Sequence, residues 1–292
     1  MTQTMLFDWS AARHQAAAQL GLTLQLPAAA AGHADWRDAS ALIASIVRCK
    51  GIQVVGISGS QGSGKSTLAR CLQDTLLAAD EQAAAVSIDD FYLSRQARAA
   101  LADQVHPLLQ TRGVPGTHDW QWLHRTLDDV HRGKTPLVLP VFDKGLDDRV
   151  GERDIEAGVL VLEGWCLGVN AQPETALAMP CNTLEKEEDA QGIWRRWVNA
   201  QLRQHYESLW PKVDLWVHLR VPGFAQVYAW RNLQEQQVPV AQRMSEAQIA
   251  RFIAHYERLT KALWEQPPAT PGLVLALNEQ HRVTDVTVSL TP

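Results

Sequence analysis

The sequence predicts an α/β fold in which a parallel β-sheet is sandwiched between helices. Three observations carry that expectation. Short runs of strand length alternate along the chain with longer stretches of helical periodicity. The short runs are apolar throughout instead of alternating, as strands buried on both faces are. A Gly/Ser-rich segment joins the first such run to a helix. The chain has 292 residues, long for one compact domain and short for two large ones, so one core carrying extra helices is expected.

Residues 1–50 read as an N-terminal helical extension with Ala-rich connections and a break at Pro27–Gly32. Residues 51–292 form the main domain. Ile52–Ile57 is its first strand, and Ser66–Ala79 the helix after the Gly/Ser loop. Ala83–Ile88 is the second strand, ending at Asp89 and Asp90. Residues 94–135 are helical in pieces, interrupted at Arg112–Gly116, and make an insertion that would carry acceptor-binding groups. Leu137–Phe142 and Val159–Leu162 are further strands, the latter ending in Glu163-Gly164. Residues 170–190 are polar and irregular, a candidate mobile loop. A helix over 191–209, a strand Val213–Leu219, and helices near 223–237 and 246–264 follow. In the last of these, Ile249, Phe252, Ile253, Tyr256, Leu259 and Leu263 share one apolar stripe. Leu273–Leu277 is the final strand before the tail. There is no internal repeat.

Composition limits the partners. The net charge of −5 argues against nonspecific nucleic-acid binding, which needs a basic face. No apolar run approaches the ~20 residues that span a membrane. Met1–Trp9 lacks a basic segment followed by an apolar one and is not rich in Arg and Ser, so a cytoplasmic location is expected. Cys49, Cys71, Cys166 and Cys181 form no CxxC pair and no zinc-type spacing. They read as buried small hydrophobes in a reducing compartment. The 11 tryptophans mostly recur at helical spacing, as with Trp194, Trp197, Val198, Leu202 and Tyr206, a core pattern.

Gly59-Ser60-Gln61-Gly62-Ser63-Gly64-Lys65-Ser66, followed by Thr67, matches G-x-x-x-x-G-K-[ST] between a strand and a helix. Glycines let the backbone approach phosphate oxygens. Successive amides and the helix N-terminus form an anion nest. Lys65 would reach the β- and γ-phosphates, and Ser66 would ligate Mg²⁺. The fold expected is thus that of the P-loop NTPases, with ATP and Mg²⁺ as cofactors. The loop alone does not separate a kinase from a GTPase, a motor or a signalling ATPase, although no N-K-x-D guanine motif follows it.

Beyond the strand ends, Asp89 and Asp90 lie where a carboxylate can face the γ-phosphate. One of them accepts a proton from an attacking hydroxyl or helps place Mg²⁺; alternatively both close a turn. Glu163, at the end of its strand, either holds Mg²⁺ through its water shell or is a turn carboxylate.

Asp89-x-Phe91-Tyr92 resembles the signature of the uridine kinase, pantothenate kinase and phosphoribulokinase group. The group's catalytic base falls on Asp89, and Asp90 falls on a variable position. Pro140-Val-Phe142-Asp143 with Arg149 is similar to the uridine kinase run P-x-Y-D-F-x-x-H-x-R, but Asp147 stands in the place of its His. A closer resemblance is to the D-glycerate 3-kinase family. It is carried by Ser87–Leu93 (SIDDFYL), Arg112-Gly113 with Gly116-Thr117-His118-Asp119, Phe142-Asp143-Lys144 with Asp148-Arg149, Leu162-Glu163-Gly164-Trp165, and Tyr228-Ala229-Trp230-Arg231. The resemblance spans about residues 50–280 in order, without residues 1–50 or the 170–190 loop.

The resemblance implies ATP-dependent phosphorylation of D-glycerate to 3-phospho-D-glycerate. Such an acceptor, with one carboxylate and two hydroxyls, needs a fixed cation and several polar groups. Arg112, His118, Lys144 and Arg149 are the candidates. His118 is either oriented by Asp119 for substrate binding or structural, with Asp119 capping the helix from Trp120. In the kinase group a lid supplies Arg to the transferred phosphoryl group. Here it would lie around 220–240, with Arg231 favoured over Arg220. Asn278 is placed to meet the adenine edge. The alternatives are a kinase for another hydroxylated acceptor, of nucleoside or pantothenate type, and an ATP-binding regulatory protein without acceptor chemistry. Lys65, Ser66, Asp89, Glu163 and Arg149 together speak against the second, since a pure binder needs no acceptor-facing base.

Overall fold

The computed structural model describes residues 7–21, 34–236, 238–240, 243–268 and 272–290. The break expected at Pro27–Gly32 lies outside them. In chain order the elements are α1 (Trp9–Leu20), α2 (Ala34–Lys50), β1 (Val54–Gly59), α3 (Lys65–Leu77), β2 (Ala83–Ser87), α4 (Arg95–Gln104), α5 (Trp120–His131), β3 (Leu137–Asp143), β4 (Asp148–Ile155), β5 (Val159–Gly164), α6 (Glu174–Leu177), α7 (Thr183–Glu188), α8 (Ile193–Gln201), β6 (Leu215–Arg220), α9 (Phe224–Glu235), α10 (Glu246–Glu265), β7 (Gly272–Leu277) and β8 (Val283–Ser289).

Six strands form one sheet in the order β2-β5-β1-β6-β7-β8, parallel except for β8. Strands β1 and β5 are buried along their whole length, which explains their unbroken apolar runs. Successive side chains point to opposite faces. Val55, Ile57, Val159 and Val161 therefore join a core with α1, α2, α3, α9 and α10. Val54, Leu160 and Leu162 join a second core with α5 and α8. Gly56 is required by packing, since a Cβ there would meet the Trp216 ring at 2.8 Å. The N-terminal helices share the first core: Trp9, Ala12, Ala16 and Leu20 are buried in it, and Gln15 and Gln19 donate to the Val288 carbonyl of β8.

Several expectations are corrected. Leu137–Phe142 is a strand, but it lies outside the parallel sheet, in an antiparallel hairpin with β4. The short turn over 144–147 can join only antiparallel neighbours. Strand β4 carries Asp148, Arg149, Glu152, Arg153 and Asp154 and is largely exposed, so it has no apolar signal. The tail contains an antiparallel edge strand, β8. Residues 170–190 hold the short helices α6 and α7 and are tied down: Arg258 of α10 grips Glu185 at 2.7 and 2.6 Å and the carbonyls of Ala176 and Met179. Arg195 does the same for Asp189 and the Leu177 carbonyl. Cys71 and Cys166 are buried, but Cys49 is exposed and Cys181 half-buried. No helix among the described residues is long and apolar enough to cross a membrane.

Candidate active site

Strands β2, β5 and β1 are neighbours and parallel, so their carboxyl ends share one edge of the sheet. Ser87, Glu163 and Ile57 fall in one row across it. Beyond that row lie a turn carrying Asp89, the Glu163 carboxylate, and the phosphate-type loop leading into α3.

The loop is shaped by two glycines. Gly62 (φ +76) and Gly64 (φ +96) adopt backbone that other residues rarely take, and a Cβ on them would meet Trp230 at 2.8 Å and the Trp36 ring at 2.9 Å. The loop is thus wedged between α9 and α2. The Ser60 and Ser63 hydroxyls and the Gln61 side-chain carbonyl are buried without a partner. Such orphaned polar atoms call for an explanation, and a phosphate chain resting on the loop would give one for the two hydroxyls, by accepting from them. Lys65 Nζ donates to the Ser60 carbonyl at 2.9 Å. Burial pushes its ammonium pKa down, while Glu163 and Asp89 oppose the shift. The Ser66 hydroxyl donates to Glu163 Oε1 at 2.8 Å. A hydroxyl and a carboxylate are hard oxygen donors of the kind Mg²⁺ takes alongside phosphates and water, so the residues fit that ion.

A cavity of about 450 Å³ opens onto this loop. On its phosphate side it is lined by Gln61, Gly62, Lys65, Ser66 and Glu163. On the other side stand Asp89, Arg112, Lys144 and Arg231. Asp89 lies on a 3₁₀ turn capped by the Ser87 hydroxyl. Lys144, from the β3–β4 turn, contacts its carboxylate at 2.6 Å. Burial pushes the Asp89 pKa up, but the Lys144 charge and hydrogen bond, His118 and the Tyr92 hydroxyl outweigh it, so the carboxyl sits below its ordinary range. Asp90 does not line the cavity; it pairs with Arg153 at 3.2 Å. Arg112 pairs with Asp147. Arg231, on α9, pairs with Glu235 at 2.7 Å and lies over the Phe252 ring.

Two of the four acceptor candidates are not brought to the cavity wall. His118 is 1% exposed. Its ring stacks on Tyr92 at 4.5 Å, and its Nδ1 contacts the Tyr206 hydroxyl at 2.9 Å. Burial lowers its pKa to about 4 against the pull of Asp89, so the ring is neutral near pH 7. Arg149 donates to the Tyr92 carbonyl at 3.0 Å, pairs with Asp119 at 3.3 Å and lies over the Trp122 ring. Asp119 caps α5, accepting from Trp122 N. The Asn278 side-chain oxygen closes the β7–β8 turn by accepting from Gln280 and Arg282 amides, and Asn278 does not line the cavity.

Sequence reasoning missed the aromatic wall: Tyr92, Trp165, Phe252 and Tyr256 all line the cavity. Phe252 and Tyr256 sit in the apolar stripe of α10, and periodicity cannot distinguish a cleft-facing aromatic from a core one. Tyr206 was also read only as core. A five-residue π-helical segment after α8 sets it so that its hydroxyl accepts from Gly116 N at 2.9 Å, a placement no spacing rule would find.

The sheet order, the loop and the carboxylates beyond it define a P-loop kinase. No family model matches the chain. It is 31% identical to the uncharacterized kinase mug58 of Schizosaccharomyces pombe over 218 residues, covering 70% of this chain and 78% of that protein. It is 28% identical over 252 residues to the chloroplastic D-glycerate 3-kinase of Arabidopsis thaliana, covering 77% of this chain but only 52% of the plant enzyme. The solved structure of D-glycerate 3-kinase from Cryptococcus neoformans superposes with a TM-score of 0.74 at 24% identity, over 88% of this chain and 100% of that one. The chain belongs to the family of P-loop kinases that includes the mug58 kinase, and its homologues include D-glycerate 3-kinase. Membership implies ATP binding and a small-molecule acceptor.

Proposed function

We propose that this protein is a cytoplasmic, Mg²⁺-dependent D-glycerate 3-kinase, transferring the γ-phosphoryl group of ATP to the terminal hydroxyl of D-glycerate. One observation carries the reading: Asp89, Arg112 and Lys144 line the same cavity as Lys65 and Ser66. A proton acceptor and two cations thus share one half-open cavity with the phosphate loop.

In this reading the amides of residues 59–66 and the Lys65 ammonium hold the phosphate chain. Ser66 and Glu163 hold Mg²⁺, which when bound with ATP offsets charge on the phosphate oxygens. Asp89, kept ionised, accepts the proton of the attacking hydroxyl. That requires Lys144 to leave its carboxylate, and the acceptor's own carboxylate offers Lys144 a replacement partner beside Arg112. Arg231, in the lid around 220–240, steadies charge gathering on the transferred group. His118 and Arg149 act through Tyr92, one stacked on its ring and the other bound to its carbonyl. Attack by the terminal hydroxyl keeps the acceptor carboxylate farthest from the incoming phosphate, which limits like-charge repulsion.

A kinase for a larger hydroxylated acceptor is the second reading. A neighbouring cavity of about 650 Å³ shares Arg112, Arg231 and Phe252 with the first and would give such an acceptor room. ADP release measured with D-glycerate, L-glycerate, glycerol, uridine and pantothenate tests the two. D-glycerate should be the best acceptor and glycerol poor, because the Arg112 cation would lose its partner. Uridine or pantothenate exceeding D-glycerate would favour the second reading.

A further inference from the structure

Asp147 stands at the end of the β3–β4 turn with φ +54, and its carboxylate lies between two guanidinium groups. Arg98 of α4, 1% exposed, approaches Oδ2 at 3.0 Å and donates to the Asp147 carbonyl at 2.6 Å. Its other donors go to the carbonyls of Leu93 and Gln110. Arg112 takes Oδ1 from the other side. Both guanidiniums lie over the Phe142 ring, at 5.7 and 5.6 Å.

Only Arg112 of the two lines the cavity. A buried guanidinium needs a counter-charge, and Asp147 supplies it to Arg98 while also holding Arg112. Two guanidinium charges against one carboxylate leave a single positive charge, presented to the cleft by Arg112. The other two cations that line this wall of the cavity are each matched: Lys144 by Asp89 and Arg231 by Glu235. The adjacent Asp148 is engaged elsewhere, accepting from the Arg95 and Arg149 amides.

We infer that Asp147 is a specificity-determining residue: by sharing its carboxylate between Arg98 and Arg112, it holds the acceptor end of the cleft at one net positive charge and selects acceptors with a single negative charge. The inference rests on the acceptor reading above, in which Arg112 meets the acceptor carboxylate. A second acceptor carboxylate would exceed that single net positive charge, in a half-enclosed site close to the ATP phosphates, and would be rejected.

The test is calorimetric binding of two hydroxy acids of similar size to the full chain with MgADP: D-lactate, singly charged, and tartronate, doubly charged. The wild-type protein should bind D-lactate more tightly. Asp147→Asn keeps the side chain's size and suits positive φ, but removes the negative charge. It should shift the ratio of the two dissociation constants toward tartronate by roughly tenfold. An unchanged ratio in this variant overturns the inference, as does a wild-type protein that prefers tartronate or binds neither acid. Should Asp147→Asn fail to fold, the wild-type preference decides alone. D-glycerate turnover with an unchanged ratio would sink this inference only. A shifted ratio without D-glycerate turnover would sink the acceptor assignment only.

Discussion

The two walls of the cleft are built differently. Apart from Glu163 of β5, the phosphate wall is one continuous stretch of chain, strand β1, loop and helix α3, and what it offers is mostly backbone amides. Two glycines wedged against Trp36 and Trp230 fix its shape. The acceptor wall is assembled from distant segments: a turn after β2, the region around Arg112, the β3–β4 hairpin and α9. Its groups are side chains, and each cation is held by a carboxylate: Lys144 by Asp89, Arg112 by Asp147, Arg231 by Glu235. Backbone wedged by packing presents a fixed site. Paired side chains present a site whose partners can be exchanged when an anion arrives. The contrast fits the two tasks, because the phosphate chain is the same in every turnover while the acceptor must be admitted, tested and released.

Substitutions should separate the walls. The largest effect is expected at Lys65→Ala, which should nearly abolish phosphoryl transfer while leaving the thermal midpoint close to wild type, because the β/γ charge loses its partner. ADP release and a melting curve on the same sample check both halves; turnover near wild type would remove Lys65 from the phosphate wall. Asp89→Asn should lower kcat by roughly 10²- to 10⁴-fold with little change in ATP affinity, since only the proton acceptor is lost. Asp90→Asn, at a residue engaged with Arg153, should be milder, and an exchange of the two effects would reverse their assigned places. Arg112→Ala should raise the D-glycerate KM roughly 10- to 100-fold through loss of a charged hydrogen-bond partner, with the ATP KM nearly unchanged. A matching rise in the ATP KM would show that the two walls are not separable. Arg231→Ala should reduce kcat more than it weakens ATP binding, by about tenfold, because its partner charge develops in the transition state.

A separate effect concerns stability. His118 and His218 are buried and neutral, with pKa values lowered from 6.5 to about 4. An unfolded histidine takes its proton near 6.5, so stability is complete above that pH and falls as pH drops from 6.5 toward 4. Each histidine contributes a slope of at most about 1.4 kcal/mol per pH unit. His118→Gln should flatten the fall across that window, read as urea midpoints at pH 7, 6 and 5. Parallel curves for variant and wild type would contradict the burial argument.

The phosphate wall was legible in the sequence because its function is local: Gly59–Ser66 is contiguous and its strand–helix context can be read from periodicity. Asp89 and Glu163 were singled out by their places beyond strand ends, and Lys144 and Arg112 by motif resemblance, since nothing in local spacing says that these segments meet. His118 and Arg149 do not line the cavity: a motif names a residue without its direction, and here both turn toward Tyr92. The hairpin partner β4 and the edge strand β8 escaped notice for a different reason. Half-exposed antiparallel strands rich in charge or threonine lack the unbroken apolar run that marks a buried parallel strand.

The most direct measurement of the central claim is NMR identification of the product formed from D-glycerate and MgATP. Phosphate is expected on the terminal carbon, giving 3-phospho-D-glycerate, with stoichiometric ADP and no comparable product from glycerol. Phosphorylation at the 2-hydroxyl, or equal turnover of glycerol, would contradict the placement of the acceptor carboxylate against Arg112 and Lys144.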